Sequence, residues 1–184
     1  MDTVFHAAAI YQDWAPDPSL MYNVNMRGTF HMIEAARQAG VEKVIYTASI
    51  VSVGRPDHGD EGDETTPYEC WDLDFPYGRS KFFSRELAEY FSEWGYDVRV
   101  ICPGIVIGPG DIRPTPSGKL IINSLQGGPA LYFDGGGSYV DVRDAAMAHV
   151  LCAKNGKAGE RYLATAHNLS NKEFLLAIDS ALNR

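Results

Sequence analysis

The sequence predicts an α/β protein in which a parallel sheet carries helices on both faces. Three observations point there. Short apolar runs alternate with longer segments whose apolar residues recur at helical spacing. The runs are mostly apolar without strict alternation, as strands buried on both faces are. Glycine or proline stands at most of the junctions between the two kinds of segment.

The elements follow in order. Asp2 to Ala9 reads as a buried strand, and Pro16, Asp17, Pro18 and Ser19 then punctuate the chain. Leu20 to Ala39 reads as a helix, with Leu20, Val24, Phe30, Ile33 and Ala36 roughly at helical spacing and Gly40 as its stop. Val44 to Tyr46 is the second strand, leading into Thr47-Ala48-Ser49. Residues 55 to 76, rich in Pro, Gly and acidic positions, read as loop. Tyr77 to Trp94 is a helix closed by Gly95, and Val98 to Cys102 a strand closed by Pro103-Gly104. Gly108 to Gly137 is expected to be irregular, with a short helix at Lys119 to Leu125 and a flexible turn at Gly135-Gly136-Gly137. A helix from Asp141 to Lys154 and a strand from Arg161 to Thr165 come next. Ser170-Asn-Lys-Glu173 is a capping box opening a last helix to Leu182.

Composition narrows the function. With 184 residues, 45% hydrophobic and 22% charged, the chain can bury a core, and wholesale disorder is excluded. Its net charge of −8 argues against a nucleic-acid or anionic-membrane binder. No apolar run approaches the roughly 20 residues a membrane span needs. Cys70, Cys102 and Cys152 are odd in number and lack CxxC spacing, so they read as reduced thiols of a cytoplasmic protein. Asn168-Leu-Ser170 matches a glycosylation pattern that carries no weight without a leader.

Tyr77 and Lys81 stand out, four residues apart on one helix face. A free phenol, with a pKa of roughly 10, is a poor base at neutral pH. A nearby ammonium favours the phenolate and makes tyrosine a usable general acid or base. The bland alternative is an exposed helix start. Ser49, just past a buried strand, sits where a parallel sheet presents its ligand crevice, or else is a turn serine. Asn25 is a mid-helix asparagine that either faces solvent or holds a backbone carbonyl or a water. His6 reads as a satisfied strand-end histidine. Asp57, Asp60, Glu61, Asp63 and Glu64 read as a solvated acidic loop, because Gly59 and Tyr68 occupy positions where a calcium loop needs ligands. No metal site is expected.

In order along the chain, His6-Ala-Ala-Ala9, Asn25-Met-Arg-Gly28-Thr29, Tyr46-Thr-Ala-Ser49, Tyr77-Gly-Arg-Ser-Lys81, Pro103-Gly-Ile-Val-Ile-Gly108-Pro109-Gly110-Asp111 and Tyr139-Val-Asp-Val-Arg-Asp144-Ala145 resemble the extended short-chain dehydrogenase/reductases, the NAD-dependent epimerase/dehydratase family. Gly108 to Gly118 and Gly159 to Tyr162 are similar to its dihydroflavonol-reductase-like, hopanoid-associated sugar epimerase branch. The resemblance implies a Rossmann-type, doubly wound sheet. Residues 1–107 would be the catalytic part of the dinucleotide-binding domain. Residues 108–184 would be a partial substrate-binding region with returning Rossmann elements. It implies that Tyr77 is the general acid/base and that Lys81 lowers its pKa and binds the ribose of NAD or NADP. Ser49 would orient the substrate oxygen, and Asn25 would support the proton path. Pro103, Gly104 and Ile105 would pack beside the nicotinamide, and Ala7 and Ala8 would let the strand end approach the cofactor.

The family's opening strand, Gly-rich phosphate turn and second strand have no counterpart in this sequence, and Gly108-x-Gly110 lacks the third glycine. The chain is therefore expected to be the middle of a longer protein, with about 60 residues preceding it, and not to bind NADH by itself. For the parent, the resemblance implies hydride transfer at a hydroxyl or carbonyl carbon of a sugar nucleotide or similar small molecule, in a homodimer. The alternatives are a ketone or aldehyde reductase of the dihydroflavonol-reductase or 3β-hydroxysteroid dehydrogenase type, and a cofactor-sensing regulator or inactive fragment.

Overall fold

The computed structural model describes residues 1–12, 14–56, 61–127 and 132–181. They form two compact units, the first built from 1–103 and 147–163, the second from 104–146 and 164–184.

The first unit is organised on a sheet whose strands run in the order β1 (Thr3–His6), β2 (Lys43–Thr47), β3 (Asp97–Pro103) and β6 (Arg161–Ala164). β1, β2 and β3 are parallel, with His6 opposite Tyr46 and Tyr46 opposite Val100. Successive side chains point to opposite faces. Val44, Tyr46, Val98, Val100 and Cys102 join Ile33, Ala36, Ala88 and Phe91 in one core layer. Arg99, on the other face, is taken up by α5 (Val142–Asn155), whose Cys152 and Ala153 carbonyls accept from Nη1 at 2.9 Å each. Thr47 on that face meets His149 at 2.8 Å. Helices therefore cover both sides of the sheet, the α/β architecture the sequence predicts.

The helix expected at Leu20 to Ala39 is three pieces wound end to end: α1 (Ser19–Tyr22), a π-helical turn (Asn23–Arg27) and α2 (Gly28–Gln38). The wider turn has a physical consequence, for it turns Asn25 fully inward. The loop after β2 contains two 3₁₀ turns, Ile50–Ser52 and Cys70–Asp72. α3 (Pro76–Glu93) starts with proline at its first position, where the missing N–H costs nothing. Of the acidic loop, Asp57, Gly59 and Asp60 lie outside the described residues. Asp63 instead caps its own turn through Thr65, and Glu64 accepts from the Leu163 N–H at 2.9 Å. Cys70, Cys102 and Cys152 are buried free thiols.

The second unit holds a sheet of order β4 (Ile105–Ile107), β5 (Gly136–Asp141) and β7 (His167–Ser170), with α4 (Pro116–Leu125) and α6 (Asn171–Ala181). The expectation of a flexible turn at Gly135-Gly136-Gly137 is corrected here. Gly136 and Gly137 open β5 and pair antiparallel with Ser170 and Leu169, so only Gly135 turns, at φ 140°. A side chain on Gly136 would run into the Leu169 carbonyl oxygen, which is why glycine can be a strand residue there. β4 and β7 were not legible because three- and four-residue strands carry too little periodicity. The capping box forms: Glu173 Oε2 accepts from Ser170 N at 2.8 Å, and Glu173 N donates to Ser170 Oγ at 3.1 Å. Tyr139 stacks on Phe174 at 4.3 Å as the centre of this core. No helix among the described residues is long and apolar enough to cross a membrane.

Gly54 lies within the loop after β2, against its returning limb, and a methyl group there would overlap the Pro67 carbonyl oxygen. Gly54→Ala should therefore destabilise the protein by about 2 kcal/mol and lower Tm by roughly 5 °C. An unchanged thermal transition would show that this loop moves aside at no cost.

Candidate active site

The site grows from one stripe of α3. Tyr77, Lys81 and Arg85 follow at four-residue intervals, running from half-buried Tyr77 to Lys81 and Arg85, each 2% exposed. Beside them Ser80, Ser84 and Ala88 are fully buried, and these small side chains let the helix lie close on β2 and β3. Gly78 at the helix start leaves room for the ring of Phe75, the residue that precedes α3, which a side chain there would strike.

Lys81 is fixed by β2. Its Nζ donates to the Thr47 carbonyl at 2.7 Å and to Tyr46 Oη at 3.1 Å, and lies 4.9 Å from the centre of the Tyr46 ring. Burial pulls its pKa down to about 8, still leaving an ammonium at neutral pH. Burial pushes the Tyr46 phenol up to about 12, so Tyr46 stays neutral.

His6 is buried at the end of β1, and its Nε2 meets Thr29 Oγ1 at 3.1 Å. Thr29 gives its own proton to the Asn25 carbonyl at 2.6 Å, so His6 Nε2 must be the donor. Burial, and then the charge of Lys81, lower the His6 pKa and keep the ring neutral. His6 is thus the satisfied histidine that the sequence suggests.

Asn25 does not face solvent. Its Oδ1 accepts from Ile10 N at 2.7 Å, while Nδ2 donates to Ile10 O at 3.0 Å and to Ser80 Oγ at 2.9 Å. Ser80 Oγ in turn donates to the Tyr77 carbonyl at 2.8 Å. Asn25 is thereby tied both to the segment after β1 and to the backbone of Tyr77. That segment also brings Tyr11 edge-on to the Tyr77 ring at 4.7 Å.

Ser49 is half-buried two residues past β2 and caps the 3₁₀ turn, its Oγ accepting from Val51 N at 3.4 Å. Ala7 and Ala8 are exposed just beyond the C-terminal end of β1, and Pro103 is buried at the end of β3. Gly104 and Ile105 belong to the second unit. There a side chain on Gly104 would overlap the Ser138 carbonyl oxygen, a packing reason for glycine, and Ile105 pairs with Tyr139. The first unit therefore gathers Asn25, Tyr77 and Lys81 on one connected set of bonds. Sequence reasoning missed Tyr46, Thr29, Ser80 and Ser84. Ser80 and Ser84 could have been found, because paired small polar residues four apart beside Lys81 mark a buried helix stripe.

The sequence profile of the "NAD dependent epimerase/dehydratase family" matches residues 1–164. A Synechocystis protein provisionally named dihydroflavonol 4-reductase is 33% identical over 171 residues, 91% of this chain and 50% of its own length. Cinnamoyl-CoA reductase 1 of Arabidopsis thaliana is 35% identical over 172 residues, 88% of this chain and 48% of its own. Among solved structures, gox2253 superposes with a TM-score of 0.90 at 33% identity, covering 99% of this chain and 56% of that one. The chain spans about half the length of the curated relatives it matches.

Lys81 is charged in the unfolded chain up to about pH 10.5 but in the fold only up to about 8. The unfolded state thus binds more protons across that window, and wild-type stability rises with pH through it. Lys81→Met, which removes the buried charge, should be more stable than wild type at pH 7 by about 1–2 kcal/mol after the loss of two hydrogen bonds. The gap should close between pH 8 and 10.5. Urea denaturation of both proteins at pH 7 and at the alkaline end checks this; a variant weaker than wild type at pH 7 contradicts it.

Proposed function

Because the chain belongs to the NAD dependent epimerase/dehydratase family, we propose that it carries the catalytic centre of an NAD(P)-dependent oxidoreductase acting at a hydroxyl or carbonyl carbon. The observation that carries this reading is Lys81: an ammonium buried to 2%, one turn from half-buried Tyr77 and held by two fixed acceptors. Lysine is almost never fully buried unless paired, and the acceptors that hold this one are neutral.

The residues fit the cofactor. An ammonium has three N–H groups, and two point at Thr47 O and Tyr46 Oη, so the third is the donor for ribose hydroxyls. Exposed Ala7 and Ala8, at the carboxyl end of a parallel strand, allow close approach where such sheets bind ligands. Pro103, Gly104 and Ile105 remain the residues for the nicotinamide side. When bound, NAD or NADP accepts or delivers the hydride. This chain's part is the proton. Tyr77, its phenolate favoured by Lys81, takes the substrate's hydroxyl proton in oxidation and returns it in reduction. Ser49 Oγ takes only a long bond from Val51 N and keeps its own proton for the substrate oxygen. Asn25 supports the proton path by holding, through Ser80, the backbone of Tyr77.

The second unit is assigned to the substrate. It has a cavity of about 450 Å³ lined by Val106, Ile107, Pro109, Ile121, Ile122 and Val142 together with Asp111 and Thr115. Its one charged residue is a carboxylate, and Asp111 is taken up by Thr115 N and Oγ1 at 2.9 Å. With no lysine or arginine in this lining, an uncharged aryl or alkyl carbonyl compound suits it better than a diphosphate. The dihydroflavonol-reductase relative supports that choice. A nucleotide-sugar substrate is the second reading, supported by the 27% identical dTDP-glucose 4,6-dehydratase DesIV of Streptomyces venezuelae, with a TM-score of 0.83 over 99% of this chain and 57% of that one. A cytoplasmic homodimer completes the proposal, supported by three buried free thiols and by exposed Phe83 and Tyr90 on α3 and Trp94 just past its end.

In the whole protein, Tyr77→Phe should cut turnover by about 10²–10⁴-fold and leave cofactor affinity nearly unchanged. Unchanged turnover would sink the catalytic assignment. Aryl or alkyl ketones should be turned over in preference to dTDP- or UDP-sugars, and the reverse order would select the second reading.

A further inference from the structure

Tyr46 looks at first like an ordinary core residue, 1% exposed among Val44, Val98 and Val100. Its hydroxyl is the anomaly. A phenylalanine would fill the same space, and a buried hydroxyl needs partners to offset its lost water. One partner is Ser84 Oγ, to which Tyr46 Oη donates at 2.8 Å. Ser84 has no need of it, because its own proton goes to the Ser80 carbonyl at 2.7 Å within α3. What Ser84 does is take the phenol proton. With that proton turned into the helix, the lone pairs of Tyr46 Oη face the other way, toward Lys81 Nζ at 3.1 Å.

We infer that Tyr46 is a positioning residue for Lys81, acting through a one-way chain of hydrogen bonds from Lys81 Nζ to Tyr46 Oη to Ser84 Oγ to the Ser80 carbonyl. The inference rests on the reading of Lys81 as the cofactor-side ammonium of the site. A single acceptor, Thr47 O, would leave Nζ free to swing on a cone. A second acceptor on β2 fixes its axis, and with it the direction of the third N–H that is left for a ligand. The chain also has a defined sense at every link, since each oxygen gives one proton onward and accepts one from behind. Reversing it would aim the phenol proton at an ammonium, which has no lone pair to receive it.

Among the described residues, the ionisable groups facing Lys81 are His6 from β1, Tyr46 from β2 and Cys102 from β3, with Tyr77 and Arg85 one turn away on either side along α3. Burial lowers His6, raises the Cys102 thiol to about 11 and raises Tyr46 to about 12. These three therefore hold one protonation state while Lys81 titrates near 8, and a Tyr77→Phe background, used for every variant, removes the one neighbour whose ionisation is coupled to it.

The test is an NMR pH titration of the folded chain with its lysines labelled at Cε, the Lys81 signal identified by its loss in Lys81→Met. Tyr46→Phe removes an acceptor that favours the ammonium, and the Lys81 midpoint should fall by about one unit. A role confined to core packing would lower Tm and leave the midpoint where it was; an unchanged or raised midpoint overturns the inference. Ser84→Ala, which frees the phenol proton but keeps the phenol, should lower the midpoint by less, and it decides the matter if Tyr46→Phe does not fold. The readout needs no turnover. Should Tyr77→Phe retain full activity, the proposed reaction fails while the Lys81 titration still reports on Tyr46.

Discussion

A lysine ammonium held under the end of β2 is the constraint around which the first unit is arranged. Removing a charge from water is expensive unless acceptors replace the lost hydration. The fold meets that demand with a strand carbonyl and a phenol, both of which are immobile for other reasons. Thr47 belongs to β2, which is paired to β3, and Tyr46 is clamped between His6 of β1 and Val100 of β3 under a helix. The remaining cost shows as the lowered Lys81 pKa. A strained ionisation of this kind, persisting beside a half-buried tyrosine, is a mark of function rather than of stability.

The surroundings then read as consequences. Lys81 reaches β2 because α3 lies close to the sheet, and α3 lies close because its inward residues are Ser80, Ser84 and Ala88. Two of those small residues are serines with work to do. Ser80 passes the hold of Asn25 to the Tyr77 backbone, and Ser84 orients Tyr46. His6 stays neutral on the far side, so it does not oppose the ammonium. The π-helical turn belongs to the same logic. In a regular α-helix, asparagine is a weak residue; here the widened turn sets it inward, where it satisfies both backbone groups of Ile10.

Much of the first unit was legible because its signals are long or strongly patterned. The apolar strand segments at 43–47 and 97–103 mark the sheet, and the eighteen residues of α3 carry enough periodicity to place Tyr77 and Lys81 on one helix face. The second unit was less so. β4 and β7 are short, and β5 begins at two glycines whose role is close backbone approach, a property of the partner strand that no local propensity encodes. Partners were hidden too. Asn25 and Ser80 are 55 residues apart, Tyr46 and Ser84 are 38 apart, and only the sheet order joins them.

That distance explains why the motif residues were visible and their supports were not. Tyr77 and Lys81 are separated by one helical turn, so spacing alone relates them. The residues that make Lys81 effective come from β2, and what relates them is the register of a parallel sheet against a helix packed on it. Sequence spacing identifies groups that share an element; the electrostatic environment of a group is set by the elements that cross it. A Tyr-x-x-x-Lys on an exposed helix would lack the two strand acceptors and the dry surroundings. What makes this pair a candidate acid/base centre is therefore the strand beneath it, and Tyr46 and Thr47 are the residues through which the strand acts.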